Sequence, residues 1–170
     1  MNYVTYGGVT VGLCLLIHQL VTWWPGRKAL MKDPVRRAAE LLPFLLSWSY
    51  GCLTTLGVAG LIGTASSAVL GLSNWLGDAA LLWGVGEQPG QLAARATFTP
   101  LSGPGNCVVL ILTAGFVAAV KKSGGEQRSI LKRGAWCGIC LGTSAGVAGF
   151  AAVPLATAAN WLGEHVYEAF

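Results

Sequence analysis

Four long apolar stretches, none of which contains Asp, Glu, Lys or Arg, constrain this chain more than any other feature of its sequence. They cover residues 3–24, 41–63, 106–120 and 135–158. About 20 apolar residues are enough for a helix to cross the hydrocarbon core of a bilayer, whereas the strands of a membrane barrel alternate apolar and polar residues over about ten positions. The pattern therefore predicts an all-α integral membrane protein with four transmembrane helices.

The charge content agrees with this class. Only 11% of the 170 residues are charged and 54% are hydrophobic, whereas soluble domains carry about 25% charged residues. Such a chain cannot cover a soluble domain with polar surface, and it is too hydrophobic to be disordered. The net charge of +4 is too small for a nucleic-acid-binding domain, so nucleic acid is expected as a partner only indirectly, if at all.

Ten of the eleven lysines and arginines lie in two loops, one between the first and second stretches and one between the third and fourth. Because Lys and Arg in short loops stay on the cytoplasmic side, we predict that both loops are cytoplasmic and both termini outside, in a plasma or inner membrane. Anionic phospholipid headgroups attract such residues by about 1 kcal/mol per cation. The predicted headgroup-binding residues are Arg27, Lys28, Lys32, Arg36, Arg37, Lys121, Lys122, Arg128, Lys132 and Arg133.

Two short motifs recur, which indicates an internal repeat. GVAG occurs at residues 57–60 and 146–149, and NWLG followed by an acidic residue occurs at 74–78 and 160–164. Coincidence in a Gly- and Ala-rich chain is the alternative. A duplication places the two halves in the same orientation, as tandem helical hairpins in a parallel repeat. The predicted units are a first hairpin at residues 1–86, an outer linker at 87–105 and a second hairpin at 106–170.

Each predicted hairpin ends in an amphipathic segment on the outer side. Leu72, Trp75 and Leu76 recur at helical spacing opposite Asn74 and Asp78, and residues 160–170 repeat the pattern. Helices with one apolar face lie in the headgroup plane, so we predict an interfacial helix at the end of each half. The alternative is that the segment extends the spanning helix beyond the bilayer.

Small residues recur at every fourth position in the second and fourth spans. Such strips let two helix backbones approach closely, where Leu would keep them apart. They serve contacts within one bundle or between subunits, and a homo-oligomer is the expected state. The predicted packing residues are Gly51, Ala59, Gly63, Gly138, Gly142 and Gly146.

Few side chains in the predicted spans could take part in catalysis. His18 and Gln19 lie toward the inner end of the first span. We interpret His18 as a histidine that makes its hydrogen bonds at the membrane interface, rather than as a proton relay, because no Asp, Glu or Lys lies at a matching depth in another span. The sequence contains no metal-ligand cluster, nucleotide-binding glycine loop or Ser/His/Asp set, so we predict no enzymatic activity, no cofactor and no metal.

The five cysteines do not indicate a disulfide framework, because their number is odd and they lie in apolar runs. One pair, in the segment Trp136-Cys137-Gly138-Ile139-Cys140, resembles the WCGxC site of thioredoxin-like oxidoreductases, where a helix N-terminus activates the first thiol. Ile139 replaces the usual proline, and no strand-helix-strand pattern surrounds the motif. A membrane thiol oxidoreductase is therefore the second alternative function.

In layout, each half of the chain resembles the membrane-inserted pilins of conjugative type IV secretion systems. Each half has two apolar helices, a basic loop at 27–37 or 120–133, and a Gly- and Ala-rich second helix containing GVAG. In that family the hairpins are extracted from the membrane and stacked into an extracellular filament, whose basic loops line the lumen and meet phospholipid headgroups. The resemblance implies a non-enzymatic structural subunit of a membrane-derived homo-oligomer with a role in conjugative DNA transfer. The first alternative is a small channel, holin-like pore or transporter.

Overall fold

The computed structural model describes residues 3–24, 31, 34–57, 60–94, 101–144 and 147–168, without the side chains of residues 37 and 147–151. The described residues form helices and connecting turns, and an isolated antiparallel β-bridge joins Thr5 to Leu92. The all-α prediction is therefore confirmed for this part of the chain. The helices are α1 (Tyr6–Trp23), α2 (Pro34–Ala39), α3 (Leu42–Leu56), α4 (Gly60–Val85), α5 (Gly103–Lys122), α6 (Gly125–Leu141) and α7 (Val147–Glu168).

Three of the described helices, α1, α4 and α5, are long and apolar enough to cross a membrane. The helix α5 is longer than the predicted stretch at 106–120, because Ser102 caps its N-terminus and Pro104 occupies its first turn. The predicted second and fourth spans differ from the structure, since each is divided between two helices. α3 has only 15 residues, about 22 Å at 1.5 Å per residue, and does not by itself cross a core of about 30 Å.

The two divisions are called the first and second helix breaks. At the first break, α3 ends at Leu56, Gly57 is extended (φ −67°, ψ 119°), and α4 begins at Gly60 with φ +93°. Glycine adopts this left-handed conformation without the steric cost that a Cβ imposes. At the second break, α6 ends at Leu141 and the chain turns through residues 142–144 before α7 begins.

The predicted interfacial helices are not separate elements. α4 runs without interruption from Gly60 to Val85 and α7 from Val147 to Glu168, so both amphipathic segments continue a longer helix. This agrees with the alternative in which they extend the helix that precedes them. The loop that follows α4 is held against the N-terminus, where Tyr6 N donates to Gln91 O at 3.0 Å and Ala93 N to Val4 O at 2.9 Å.

The helices α3 and α6 form the centre of the bundle and run parallel to each other. Gly134, near the start of α6, lies against Phe44 and Ser47, whereas Gly142, just after its end, lies against Cys52 and Thr55. The helix α1 runs antiparallel to α6, because Gly12 contacts Cys137 while His18 contacts Arg133. α4 packs mainly on α1, and α7 mainly on α5.

Large apolar side chains cover much of the outer surface. Trp83, Leu61 and Val21 are 89%, 87% and 69% exposed. A water-soluble protein rarely exposes so much contiguous apolar surface, whereas hydrocarbon chains solvate it well. The interior combines buried apolar side chains such as Phe44 and Leu70 with small and polar ones, including Cys52, Ser47, Ser66 and Ser73, all of which are almost fully buried.

Candidate functional site

The backbones of α3 and α6 touch where the two helices cross. A Cβ atom added to Gly138 would lie 3.0 Å from the Cα of Gly51, and one added to Gly51 would lie 3.0 Å from the Cα of Gly138. A Cβ on Gly142 would lie 2.9 Å from the Cα of Cys52. Contacts of this kind require residues without side chains, so these small residues pack within the chain.

The remaining predicted packing residues lie elsewhere. Gly63 is buried near the start of α4, whereas Ala59 and Gly146 are outside the described residues. Around the breaks, the described side chains differ from the rest of the bundle in being rich in hydroxyl groups.

Four buried hydroxyl side chains flank the two breaks: Thr54 and Thr55 at the end of α3, and Thr143 and Ser144 after the end of α6. The two pairs are adjacent, because Thr55 Oγ1 lies 3.1 Å from the Cβ position of Gly142. A fifth hydroxyl, that of Ser66 on α4, donates to Thr54 O at 3.2 Å. The breaks therefore share one buried polar region inside an otherwise apolar bundle.

Most of these hydroxyls bond to nearby carbonyls of their own helix, as Ser and Thr commonly do. Thr55 Oγ1 donates to Cys52 O at 2.7 Å and Ser144 Oγ to Leu141 O at 2.8 Å. Thr143 differs, because its Oγ1 is buried and has no hydrogen-bond partner among the described residues. A buried polar atom without a partner costs about 1 to 3 kcal/mol, so this oxygen is a candidate ligand-binding group.

The two central helices add to the electrostatics of this region. α3 and α6 are parallel and both end at the breaks, so their C-terminal ends converge there. A helix C-terminus carries about half a negative charge on its last carbonyls. The helices α4 and α7 begin at the same breaks, and their N-terminal ends carry the opposite partial charge. The buried hydroxyl and carbonyl oxygens therefore suit a small cation or a polar hydrogen-bond donor, and the helix ends do not by themselves select for positive charge. Paired helix breaks of this kind form the binding sites of many membrane transporters.

Two further contacts, far apart in sequence, have the same construction. Thr5 caps α1 by accepting from Gly8 N at 3.2 Å, and its own N donates to Asn74 Oδ1 at 3.2 Å. Ser102 caps α5 by accepting from Gly105 N at 3.2 Å, and its N donates to Asn160 Oδ1 at 2.9 Å. In both cases an Asn on the following long helix holds the capping residue of another helix.

A glycine one turn further along completes each contact. Gly77, three residues after Asn74, lies against the backbone of Gly7, and Gly163, three residues after Asn160, lies against the backbone of Pro104. In each NWLG motif, the Asn side chain thus accepts a hydrogen bond from a capping residue, and the Gly lets the helix backbone approach its neighbour closely. Asp78, which follows the first motif, accepts from Gly90 N at 3.2 Å and so holds the loop that follows α4.

The described cations gather at the other end of α1 and α5. Arg133 Nη1 lies 3.0 Å from His18 Nδ1, which pairs the predicted interfacial histidine with a residue of the second basic loop. Lys121 and Lys122 end α5, and Lys132 and Arg36 are also exposed. Arg27, Lys28 and Lys32 lie outside the described residues, as does the side chain of Arg37.

The buried thiols lie at the crossing and not at a helix start. Cys137 Sγ donates to Gly12 O at 3.3 Å and Cys52 Sγ to Gly138 O at 3.5 Å. Cys137 and Cys140 are fully buried, several turns beyond the start of α6 at Gly125. They therefore lack the helix N-terminus and the access that activate a thioredoxin-like cysteine.

The helix breaks were not predicted from the sequence, and the hydroxyls of Thr54, Thr55, Thr143 and Ser144 were interpreted only as groups that bond to carbonyls of their own helices. The signal was present in the recurring GVAG motif, since glycines at corresponding positions of two apolar stretches mark interrupted helices. The motif was interpreted as evidence of an internal repeat instead. The burial of Gln19 was also not predicted. Its side chain is buried, and its Oε1 has no hydrogen-bond partner among the described residues.

Comparison with models of protein families, with curated proteins and with solved structures finds no match to this chain. Because a fold alone does not determine function, the assignment depends on the geometry of the site.

Proposed function

We propose that this protein is a small, non-enzymatic membrane channel or transporter in which the paired helix breaks bind a small cation or polar solute. The buried Oγ1 of Thr143, which has no partner among the described residues and lies in the polar region shared by the two breaks, carries the proposal. A transported solute supplies the missing partner when it passes. Hydroxyl and carbonyl oxygens hold such a solute weakly enough to release it.

Two equivalent contacts in the two halves of the chain support this proposal. The two capping contacts, at Thr5 with Asn74 and at Ser102 with Asn160, have the same hydrogen bonds, and the parallel helices α3 and α6 cross at Gly51 and Gly138. We propose two tandem halves in the same orientation, each contributing one uninterrupted and one broken membrane passage. The breaks then lie at the interface between the repeats, where transporters bind their substrates.

The expected location is a plasma or inner membrane, with both termini outside. His18 near the end of α1 contacts Arg133 near the start of α6, and Lys121 and Lys122 end α5. The described cations of the second basic loop therefore lie beside the inner end of α1, as a shared cytoplasmic side requires. Phospholipid headgroups are their expected partners there.

A flux measurement with a matched pair of variants tests the proposal. The purified protein is reconstituted into phosphatidylcholine vesicles, and the efflux of potassium, sodium, ammonium and glycerol is measured. We expect at least one of them to leave faster than from empty vesicles. Thr143→Val removes the buried hydroxyl at nearly constant volume and lowers this rate about tenfold, because one hydrogen bond to a charged group contributes about 1.5 to 3 kcal/mol.

Thr157→Val is the control. Thr157 is exposed on α7 and its Oγ1 donates to Val153 O at 3.1 Å, so the change removes a hydroxyl far from the breaks. Its flux should equal that of the wild type. The proposal fails if no solute leaves faster than from empty vesicles, or if the two variants behave alike.

The pilin-like structural subunit is the second candidate, and one observation favours it. Only Ser123 and Gly124 separate α5 from α6, and this turn is flanked by Lys121, Lys122 and Arg128, which is the basic helical hairpin that the resemblance implies. Native particle size distinguishes the candidates. A long filament of the wild-type protein supports the structural subunit, whereas a monomer or small closed ring with solute flux supports the channel or transporter.

A further inference from the structure

A long apolar crevice runs along α5, between this helix and the first helix break. Its volume is about 890 Å³. Val109, Thr113 and Val117 line it on α5, and Gly60 and Ile62 line the opposite side. The lining on α5 extends from Asn106 to Lys121, about 22 Å at 1.5 Å per residue. This length exceeds one leaflet of the hydrocarbon core, which is about 15 Å.

Beside the crevice, α5 meets α3 through side chains, whereas α1 lies directly on the backbone of α6. On the α1 side, a Cβ added to Gly12 would lie 2.9 Å from Cys140 Cβ. On the α5 side, the ring of Tyr50 stacks on Phe116 with centroids 4.5 Å apart, and Tyr50 Oη donates to Thr113 Oγ1 at 3.2 Å. The two helices meet at this aromatic pair, and along the crevice Gly57 and Gly60 contribute no side chain to fill the space.

Lys121 is the one charged residue among those that line the crevice, and it lies at its end. Lys122 is exposed and does not line it. Arg128 lies next to Lys121, since its Nε donates to Val120 O at 3.0 Å and its Nη2 to Lys121 O at 3.3 Å, but it does not line the crevice. A single cation at the end of an apolar crevice is complementary to a ligand with one negative charge and one apolar chain.

We propose that the crevice binds a long-chain carboxylate, with its chain along α5 and its carboxylate on Lys121. The volume lies within the range of about 300 to 1,000 Å³ that is typical of small-molecule sites. A phospholipid has two chains, and the second would have to lie outside the crevice. The site requires a membrane location but not solute conduction, so it stands or fails separately from the channel or transporter function.

Binding of radiolabelled oleate to the full-length protein in a neutral detergent tests the proposal. We expect saturable binding of one oleate per chain. Oleyl alcohol, which has the same chain without the charge, and Lys121→Gln should each weaken the interaction about tenfold, the effect of one charge-assisted contact. Ala118→Phe, which places a ring in the crevice, should abolish binding. Circular dichroism and elution volume show whether each variant keeps its fold.

Matched controls come from the neighbouring residues. Lys122→Gln removes a charge outside the crevice, and Ala119→Phe adds a ring on an exposed position of α5 that does not line it; both should bind oleate like the wild type. The proposal is overturned if oleyl alcohol competes as well as oleate, if phosphatidylglycerol competes better than oleate, or if each control weakens binding as much as its partner variant.

Discussion

Gly51 and Gly138 face each other across the centre of the bundle, so closely that a Cβ on either residue would lie 3.0 Å from the Cα of the other. Each of these Cβ positions would also meet a backbone carbonyl, that of Ala135 for Gly51 and that of Trp48 for Gly138. Backbone cannot move aside as a flexible side chain does. The contact therefore holds the two halves of the chain together and tolerates no larger residue.

Gly138→Ala is expected to destabilise the protein by about 1 to 3 kcal/mol, the usual cost of overpacking a filled interior. Gly115→Ala is the matched control, since nothing lies within 4 Å of its Cβ position on the exposed face of α5. There the greater helix propensity of Ala should stabilise the protein by about 0.5 to 1 kcal/mol. Unfolding in mixed micelles measures both, and the same sign for the two variants would contradict the close crossing.

Asn74→Ala and Asn160→Ala should each cost about 1 to 3 kcal/mol, because each leaves the backbone N–H of a capping residue without its acceptor. The acceptors are Asn74 Oδ1 for Thr5 and Asn160 Oδ1 for Ser102. Asn106→Ala is the control, since the Asn106 amide is exposed and bonds within its own helix. The same unfolding assay applies. A large loss for only one of the two variants would argue against equivalent halves.

The membrane topology can be tested with two exposed glutamines, Gln91 in the loop that follows α4 and Gln127 at the start of α6. Cys14 and Cys107 are first replaced by Ala, because they are the exposed natural thiols. A membrane-impermeant maleimide added to intact cells should then label Gln91→Cys and leave Gln127→Cys unlabelled until the cells are opened. Equal labelling, or the reverse pattern, would exclude cytoplasmic basic loops.

The natural cysteines should divide into two classes of reactivity. In the native protein a membrane-permeable maleimide is expected to modify Cys14 and Cys107, and to modify the buried Cys52, Cys137 and Cys140 only after denaturation. Mass spectrometry of the labelled chain separates the two classes. A mixed disulfide between Cys137 and another protein would show instead that this thiol is accessible and chemically active.

The sequence by itself determined the class of structure. Charge-free apolar stretches have no stable alternative to helices in a bilayer, and the recurring NWLG motifs identified the segments that contain Asn74 and Asn160 before their contacts were known. The sequence also showed that Lys121, Lys122, Arg128 and Arg133 cluster in one loop. These features depend on composition and local spacing, which a single chain displays directly.

Only the tertiary structure decided where the helices break and what the small residues contact. A glycine in an apolar run is compatible with a continuous helix, a close crossing or a break, and the neighbouring helices determine which one forms. Gly138 lies at a crossing, whereas Gly57 and Gly60 flank a break. The contact between α5 and α3 includes the stacking of Tyr50 on Phe116. No local pattern predicts this contact, because it forms between helices that are distant in sequence.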